Sequence, residues 1–253
     1  MLQIVFFLWL SLPVHNNSGK DSLTLMSYNI HHGTDKDEKA TLDSMGIFIR
    51  GSGAAIVGLQ EVDSVCQRSG KTDQMKRLAQ ITGMHYAFVR HFAFQEGAYG
   101  QGILSRYPIK KIENIRLSLL KPDTLRQSLA LITAEIAIPG KGTLLLANAH
   151  FSLDPATRLV QAREVLNYLK KKNLPAVFMG DLNATPDQEE IQLLKTALQP
   201  VNDLNQPSFP AEAPIKTIDY IFVTRNLNGI AEKKNLPPVL YSDHLPVQAT
   251  IQF

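Results

Sequence analysis

Cysteine is almost missing. Cys66 stands alone among 253 residues, so no disulfide can close within the chain, and it reads as a small core or loop residue. There is no Cys–His cluster of zinc-site type, which argues against zinc. Charge of one sign is lacking too. The 26 basic and 23 acidic residues leave a net charge of +3, too mild to argue for nucleic-acid binding and too even to exclude it. No repeat of solenoid period, low-complexity tract or dividing linker occurs. One long apolar run is present, Leu2 to Leu12, of signal-peptide length and too short to span a bilayer. Residues 1–20 therefore read as an export leader, although no Lys or Arg precedes the run and no A-x-A site follows it. Residues 21–253 are then expected to form a single domain, exported to the periplasm or beyond (cytoplasmic if the leader is not one), without a membrane span.

What recurs along the chain is a short, β-rich apolar run ending in polar residues. LTLMSYNIHHG is the first and AAIVGLQEVD the second. YAFVRHFAF, QGILSRYPI, LALITAEIAI, GTLLLANAHF, PAVFMGDLN, TIDYIFVT and LPVQATIQF follow. Wholly apolar centres such as AIVGL and LLLA indicate strands covered on both faces. Three segments carry helical patterns. DPATRLVQAREVLNYLKKKN offers Asp154 as N-cap, Pro155 at the first helical position, and a stripe of Leu159, Ala162, Leu166 and Leu169. Lys170, Lys171 and Lys172 fall in its last turn, where cations complement the helix dipole. KTDQMKRLAQITG and TPDQEEIQLLKTAL are the other two helices. Strand, helix, strand across residues 143–180 makes a β-α-β unit. The fold expected is a β-sheet sandwich flanked by helices.

The stretch VFMGDLNATPD ends a buried strand with Asp181 and Asn183 two positions apart. If the strand continues they share one face; an ordinary turn is the competing reading. Other strands close in the same way. Asn29 follows LTLMSY, Glu61 follows AAIVGLQ, His150 follows TLLLANA, Asp219 opens DYIFV, and Asp243 and His244 precede LPVQATI. Ligand sites in α/β folds collect beyond strand ends. Glu61, Asn29, Asp181 and Asp243 are hard oxygen donors suited to Mg²⁺ or Mn²⁺, and the histidines suit acid–base and phosphate-binding duties. Arg106 and Arg126 are candidate phosphate contacts, or plain surface arginines. Such a set describes metal-assisted hydrolysis of a phosphate ester.

SYNIHHG, GLQEVD, AHF, GDLNATPD, IDYIF and SDHLPV occur in the order that resembles the endonuclease/exonuclease/phosphatase superfamily, the DNase I-like proteins. The matching segments run from about Leu23 to Phe253. Within that superfamily the chain resembles a bacterial, often exported subgroup with SYNIHHG, LQEVD, RSG--DQ and YG--ILSR. The resemblance implies a four-layer α/β sandwich of two packed, mainly antiparallel sheets flanked by helices. It also implies Mg²⁺-dependent attack of water on a phosphoester without a covalent intermediate. Carried over by position, Glu61 holds the metal with Asn29 beside it and Asp243 contributing. Asp181 activates the water, Asn183 bonds a non-bridging oxygen, and His244 binds the scissile phosphate with Asp219 orienting its ring. His150 serves the leaving group.

The chain leaves little room for DNA-embracing insertions, carries no strongly basic signal and is read as exported. A phosphodiesterase or phosphatase acting on a small or lipid-derived ester, as a monomer, is therefore expected. A DNA endo- or exonuclease is the alternative, and a degenerate phosphate-ligand binding protein the remote one.

Overall fold

Alternation along the strands organises the molecule. In a computed structural model that describes residues 22–122, 124–227, 230–232 and 236–252, β1 (Ser22–Asn29) sends Leu23 and Leu25 to one face and Met26 and Tyr28 to the other. The leader assigned to residues 1–20 lies outside the described residues. Two six-stranded sheets form. The first orders β11 (Ile230–Glu232), β12 (Val247–Gln252), β1, β2 (Ile56–Ser64), β4 (Gly97–Ser105) and β3 (His85–Phe94). The second orders β5 (Ile109–Ser118), β6 (Ser128–Ile138), β7 (Gly142–His150), β8 (Ala176–Asp181), β10 (Asp219–Thr224) and β9 (Leu198–Pro200). Each has one parallel pair at its centre, β1–β2 and β7–β8, and every other pairing is antiparallel.

Three apolar layers hold four structural ones. Leu25, Ile56, Ile132, Leu146, Met179 and Ile221 fill the space between the sheets. Met26, Tyr28, Leu59, Met45, Ile49 and Leu78 pack the first sheet against α1 (Leu42–Ser52) and α2 (Gln74–Thr82). Leu145, Phe178, Phe222, Ala162, Val165 and Leu194 pack the second against α3 (Pro155–Lys172) and α4 (Glu189–Ala197). The expected four-layer sandwich is the architecture found.

The helix ends follow the sequence logic. Asp154 caps α3 by accepting from Thr157 N at 2.9 Å, with Pro155 next, and Asp73 caps α2 by accepting from Lys76 N at 3.0 Å. The buried face of α3 differs from the expected stripe. Arg158, Gln161, Ala162, Val165 and Leu169 are buried, while Leu159 and Leu166 are only half-buried. The Arg158 guanidinium pairs with the buried Glu190 of α4, so a charged pair displaces leucine from the helix–helix contact. Two elements escape apolar patterning. α1 carries Gly46, Gly51 and β-branched Ile47 and Ile49, poor helix formers, and β5, an edge strand, is mostly polar and exposed.

At one end of the inter-sheet space the apolar lining gives way to amides. Asn148 of β7 reaches across to the first sheet, donating to Leu59 O at 2.9 Å and Gly102 O at 3.1 Å and accepting from Gln60 Nε2 at 2.6 Å. Gln60 also donates to Ser27 Oγ at 3.1 Å. Gly58 makes the approach possible, because a Cβ there would lie 2.6 Å from Met179 Sδ and 3.0 Å from Asn148 Cγ. Asn148→Leu removes the bridge and strands three buried polar groups. It should lower unfolding stability by about 3 kcal/mol, read by urea denaturation, at roughly 1–3 kcal/mol per unsatisfied group. A loss below about 0.5 kcal/mol, the level of a neutral surface change, would mean the amide does not tie the sheets together.

Candidate active site

The same inward-facing rows deliver the polar residues. On β1 the row reads Leu23, Leu25, Ser27, Asn29; on β7 it reads Leu144, Leu146, Asn148, His150; on β8 it reads Val177, Met179, Asp181. Parallel pairing brings His150 beside Asp181, and antiparallel pairing brings Asp219 opposite Asp181. The Ser242–Asp243–His244 loop joins them from the start of β12. Its anchor is Ser242, whose hydroxyl donates to Asn29 O at 2.8 Å and accepts from His244 N at 3.2 Å.

Asp181 is the hub. Its Oδ2 accepts from Asn29 Nδ2 at 3.0 Å and lies 3.5 Å from His150 Nε2 and 3.6 Å from His244 Nε2, and its Oδ1 accepts from Asn183 N at 3.0 Å. Asn29 also donates to Glu61 Oε1 at 2.9 Å, while its own oxygen accepts from His31 N at 3.1 Å. That backbone donor settles which end of the amide is which. Asn29 therefore shows its NH₂ to the carboxylates, and it bridges Glu61 and Asp181 where a role as oxygen ligand was expected. Glu61 sits at φ +58°, where β2 breaks register against β4 between Leu59 and Val62. This bulge re-aims the carboxylate into the cleft.

Two other expectations need correction. β8 ends at Asp181, and Asn183 adopts φ +50°, so the two do not share a strand face. Asn183 reaches the cleft from a turn, its Nδ2 donating to Phe151 O at 3.0 Å. Turn and site are here the same structure. Arg106 lies at the wrong end. β4 runs antiparallel to β2, so Ser105 pairs with Ile56, and Arg106 N donates to Ala55 O at 2.8 Å, far from Glu61. Periodicity reveals strands but not their direction. Arg126, by contrast, lines the cleft, from the connection between β5 and β6.

His244 is buried, which works against its charge, but the carboxylates of Asp219, at 2.9 Å from Nδ1, and Asp181 outweigh burial and push its pKa up to about 10. Burial acts on Asp219 in the opposite sense, raising its carboxyl, and His244 pulls it back down. The direct contact makes the pair an imidazolium–carboxylate at neutral pH. Burial, followed by His150, drives the nearby His91 well below the ordinary range, so it is neutral. Cys66 is buried and its thiol is raised to about 11, first by burial and then by Asp63, which leaves it inert at neutral pH.

The cleft holds about 950 Å³. Glu61, Asp181, Asn183, Asp243, His150 and His244 all line it. The rest of the lining is largely apolar and cationic, with Phe92, Phe94 and Tyr99 from the β3–β4 hairpin together with Leu125, Leu153 and Lys121. Arg68 was not anticipated by residue type and spacing, although it lies in RSGKTDQ. The buried Asp63 accepts from its Nε at 2.8 Å and from a terminal nitrogen at 2.9 Å, and the guanidinium lies 4.8 Å from the centre of the Phe94 ring.

A family model described as Endonuclease/Exonuclease/phosphatase family matches residues 26–244. The uncharacterised protein YbhP of Escherichia coli is 24% identical over 250 residues, covering 91% of this chain and 96% of that protein. The mannosyl-6-phosphatase of Bacteroides thetaiotaomicron superposes with a TM-score of 0.68 at 20% identity, over 89% of this chain and 98% of that one. The human Nocturnin catalytic domain with bound sulfate gives a TM-score of 0.69 at 20% identity, over 90% and 93% of the two chains. At these identities the structural likeness is one of fold.

In metal-free protein the His244 ring should titrate near pH 10, well above its ordinary 6.5. A raised folded pKa adds stability that is complete below 6.5 and disappears as pH climbs through about 10. Ring NMR follows this directly. Asp219→Asn should bring the value down; an unchanged titration in that variant would take away Asp219's charge-holding role.

Proposed function

The chain belongs to the endonuclease/exonuclease/phosphatase family, whose chemistry is phosphoester hydrolysis, and from that premise we propose that it cuts a small or lipid-derived phosphate ester by metal-assisted attack of water. The observation that carries the reading is the convergence of Glu61, Asp181, Asp243, His150 and His244 on one cleft, with Asp181 as hub. Glu61 and Asp243 fit a divalent cation: both are hard oxygen donors on the cleft wall, and neither makes an ion pair among the described residues. Mg²⁺, or Mn²⁺, held there would neutralise phosphate charge and polarise the ester.

The protein's own groups do the rest. Asn29 keeps Glu61 and Asp181 close without a second proton between them. Asp181 accepts the proton of the attacking water. His244, with Nδ1 committed to Asp219, presents Nε2–H to a phosphoryl oxygen and matches its charge. Asn183 has spent one amide hydrogen on Phe151 O and has a second for a non-bridging oxygen. His150, half-buried with Nε2 3.5 Å from Asp181 Oδ2, would protonate the leaving group.

Cleft shape supports a small or lipid-derived substrate. Its volume lies at the upper end of the roughly 300–1,000 Å³ of ordinary small-molecule pockets. Besides the carboxylates, the lining combines the aromatic rings of Phe92, Phe94 and Tyr99 with Leu125 and Leu153, the latter 80% exposed. A phosphate-bearing polar end and a ring or acyl portion would each find matching groups in that lining. The nuclease reading keeps one observation in its favour, the cations Arg68, Lys121 and Arg126 in the cleft lining. Residues 1–20, as an export leader, would place the enzyme away from the chromosome. Among the described residues no helix is long and apolar enough to cross a membrane.

A panel of bis-p-nitrophenyl phosphate, a sugar phosphate, sphingomyelin, a phosphoinositide, plain DNA and abasic-site duplex, each with Mg²⁺ or EDTA, tests the reading. Mg²⁺-dependent turnover of a small or lipid ester is expected, and cleavage confined to DNA would replace this reading with the nuclease. Asp181→Ala and His244→Ala should each cost about 10²-fold or more in kcat with a folded protein by circular dichroism. Arg106→Ala should leave kcat/KM unchanged, and an effect there would overturn its placement outside the site.

A further inference from the structure

We propose that His31, His32 and Glu38 form a second metal site, for a divalent transition metal of zinc type, separate from the oxygen-donor cleft. His32 Nε2 lies 2.8 Å from Glu38 Oε2 and His31 Nε2 lies 3.8 Å from Glu38 Oε1. One ligand atom from each of the three residues falls within 4.8 Å of the others. Two donors each about 2.1 Å from a tetrahedral zinc are roughly 3.4 Å apart, so these separations bracket what one ion needs. Thr34 Oγ1 closes the group, 3.2 Å from His32 Nε2 and 3.4 Å from His31 Nδ1. Two imidazoles and one carboxylate select zinc over magnesium, which prefers oxygen throughout.

Three further features point to a ligand at this place. His31 and His32 are consecutive residues in the left-handed region, at φ +42° and +44°, a conformation that non-glycine residues hold only when their surroundings enforce it. The enforcing contacts are present: Gln74 donates to His32 O at 2.5 Å, and Asp35 N donates to Lys39 O at 2.9 Å, which folds Glu38 back over the two rings. The phosphoester chemistry uses neither ring. His32 is only 6% exposed and its Nδ1 meets no partner among the described residues, so its polar contacts converge on the Nε2 that faces Glu38 and Thr34. Glu38, at 65% exposure, is free to swing onto an ion.

Position gives the ion a structural consequence. His31 N–H is the donor that fixes the Asn29 amide, at 3.1 Å. A zinc clamp on residues 31–38 would stiffen the turn that decides which end of that amide faces Glu61 and Asp181. The sequence has no Cys–His spacing to announce such a site. Adjacent histidines and a glutamate six positions after the second meet only because the loop returns.

The test is metal binding, with no substrate present, so it stands apart from the hydrolase reading. Full-length protein in excess Mg²⁺ is titrated with Zn²⁺ by calorimetry and with Co²⁺ by visible absorption. One equivalent should bind, with the absorption of low-coordinate Co²⁺, and should persist in His150→Ala, which alters the cleft instead. His31→Ala and Glu38→Gln, both outside the apolar core, should each weaken Zn²⁺ binding by at least about tenfold, the lower end for disturbing a metal's surroundings. Thermal melts without zinc confirm that both variants fold. Zinc uptake that survives these two changes and disappears in His150→Ala would overturn the site. So would failure to take up zinc at micromolar concentration, which would leave only a histidine–glutamate hydrogen bond.

Discussion

The site depends on one asparagine amide. Asn148 belongs to the second sheet, yet its side chain is bound to two backbone carbonyls and one side chain of the first. Apolar contacts between two sheets are nearly indifferent to small slips, because dispersion and burial have no preferred direction. Hydrogen bonds are directional and costly to leave unmade when buried. A shift of the sheets by one residue would strand Leu59 O, Gly102 O and Gln60 at once. The next inward positions beyond this amide layer are Asn29 on one sheet and His150 and Asp181 on the other, so a register locked here is inherited by the site.

The site continues the same seam outward. Asn29 repeats the cross-sheet bond one layer nearer the surface, donating to Asp181 from the opposite sheet. Beyond it the polar groups become ionic, with His244 between Asp219 and Asp181. The gradient from hydrocarbon to amide to charge runs along the inter-sheet space in the order that desolvation tolerates. At this end of the inter-sheet space each buried charge meets a partner from another segment. That ordering also explains why His244 holds its proton despite burial: two carboxylates belonging to different loops and strands are fixed on the same ring.

Sequence reading found most of this because the strands state their own ends. Asn29, Glu61, His150, Asp181, Asp219 and His244 each terminate or open an apolar run, and pairing then gathers them. It failed where information lies outside the run. Arg106 looked equivalent to Arg126 because a motif does not carry strand direction. The Asn29 amide looked like a ligand because its orientation depends on a backbone N–H two residues on. β5 escaped notice because an edge strand can be polar, and α1 because packing against α2 overrides weak helix propensity. The α3 stripe was displaced by Arg158, since a buried ion pair with Glu190 looks polar in sequence and interior in space.

Backbone strain marks two of the residues that line the cleft. Glu61 at φ +58° and Asn183 at φ +50° are non-glycine residues in the left-handed region, and both face the cleft. Each such residue costs on the order of 1 kcal/mol or more, and glycine would remove the cost while deleting the side chain. Gly180, one residue before Asp181, marks the opposite case. At φ +152° a Cβ there would meet Ala149 O at 1.8 Å, and the position has no side chain to keep. At Gly180 the close approach of β7 excludes any side chain, whereas Glu61 and Asn183 keep theirs at the cost of strain. Both residues thus bring a polar side chain to the cleft from a backbone conformation that glycine would hold without strain.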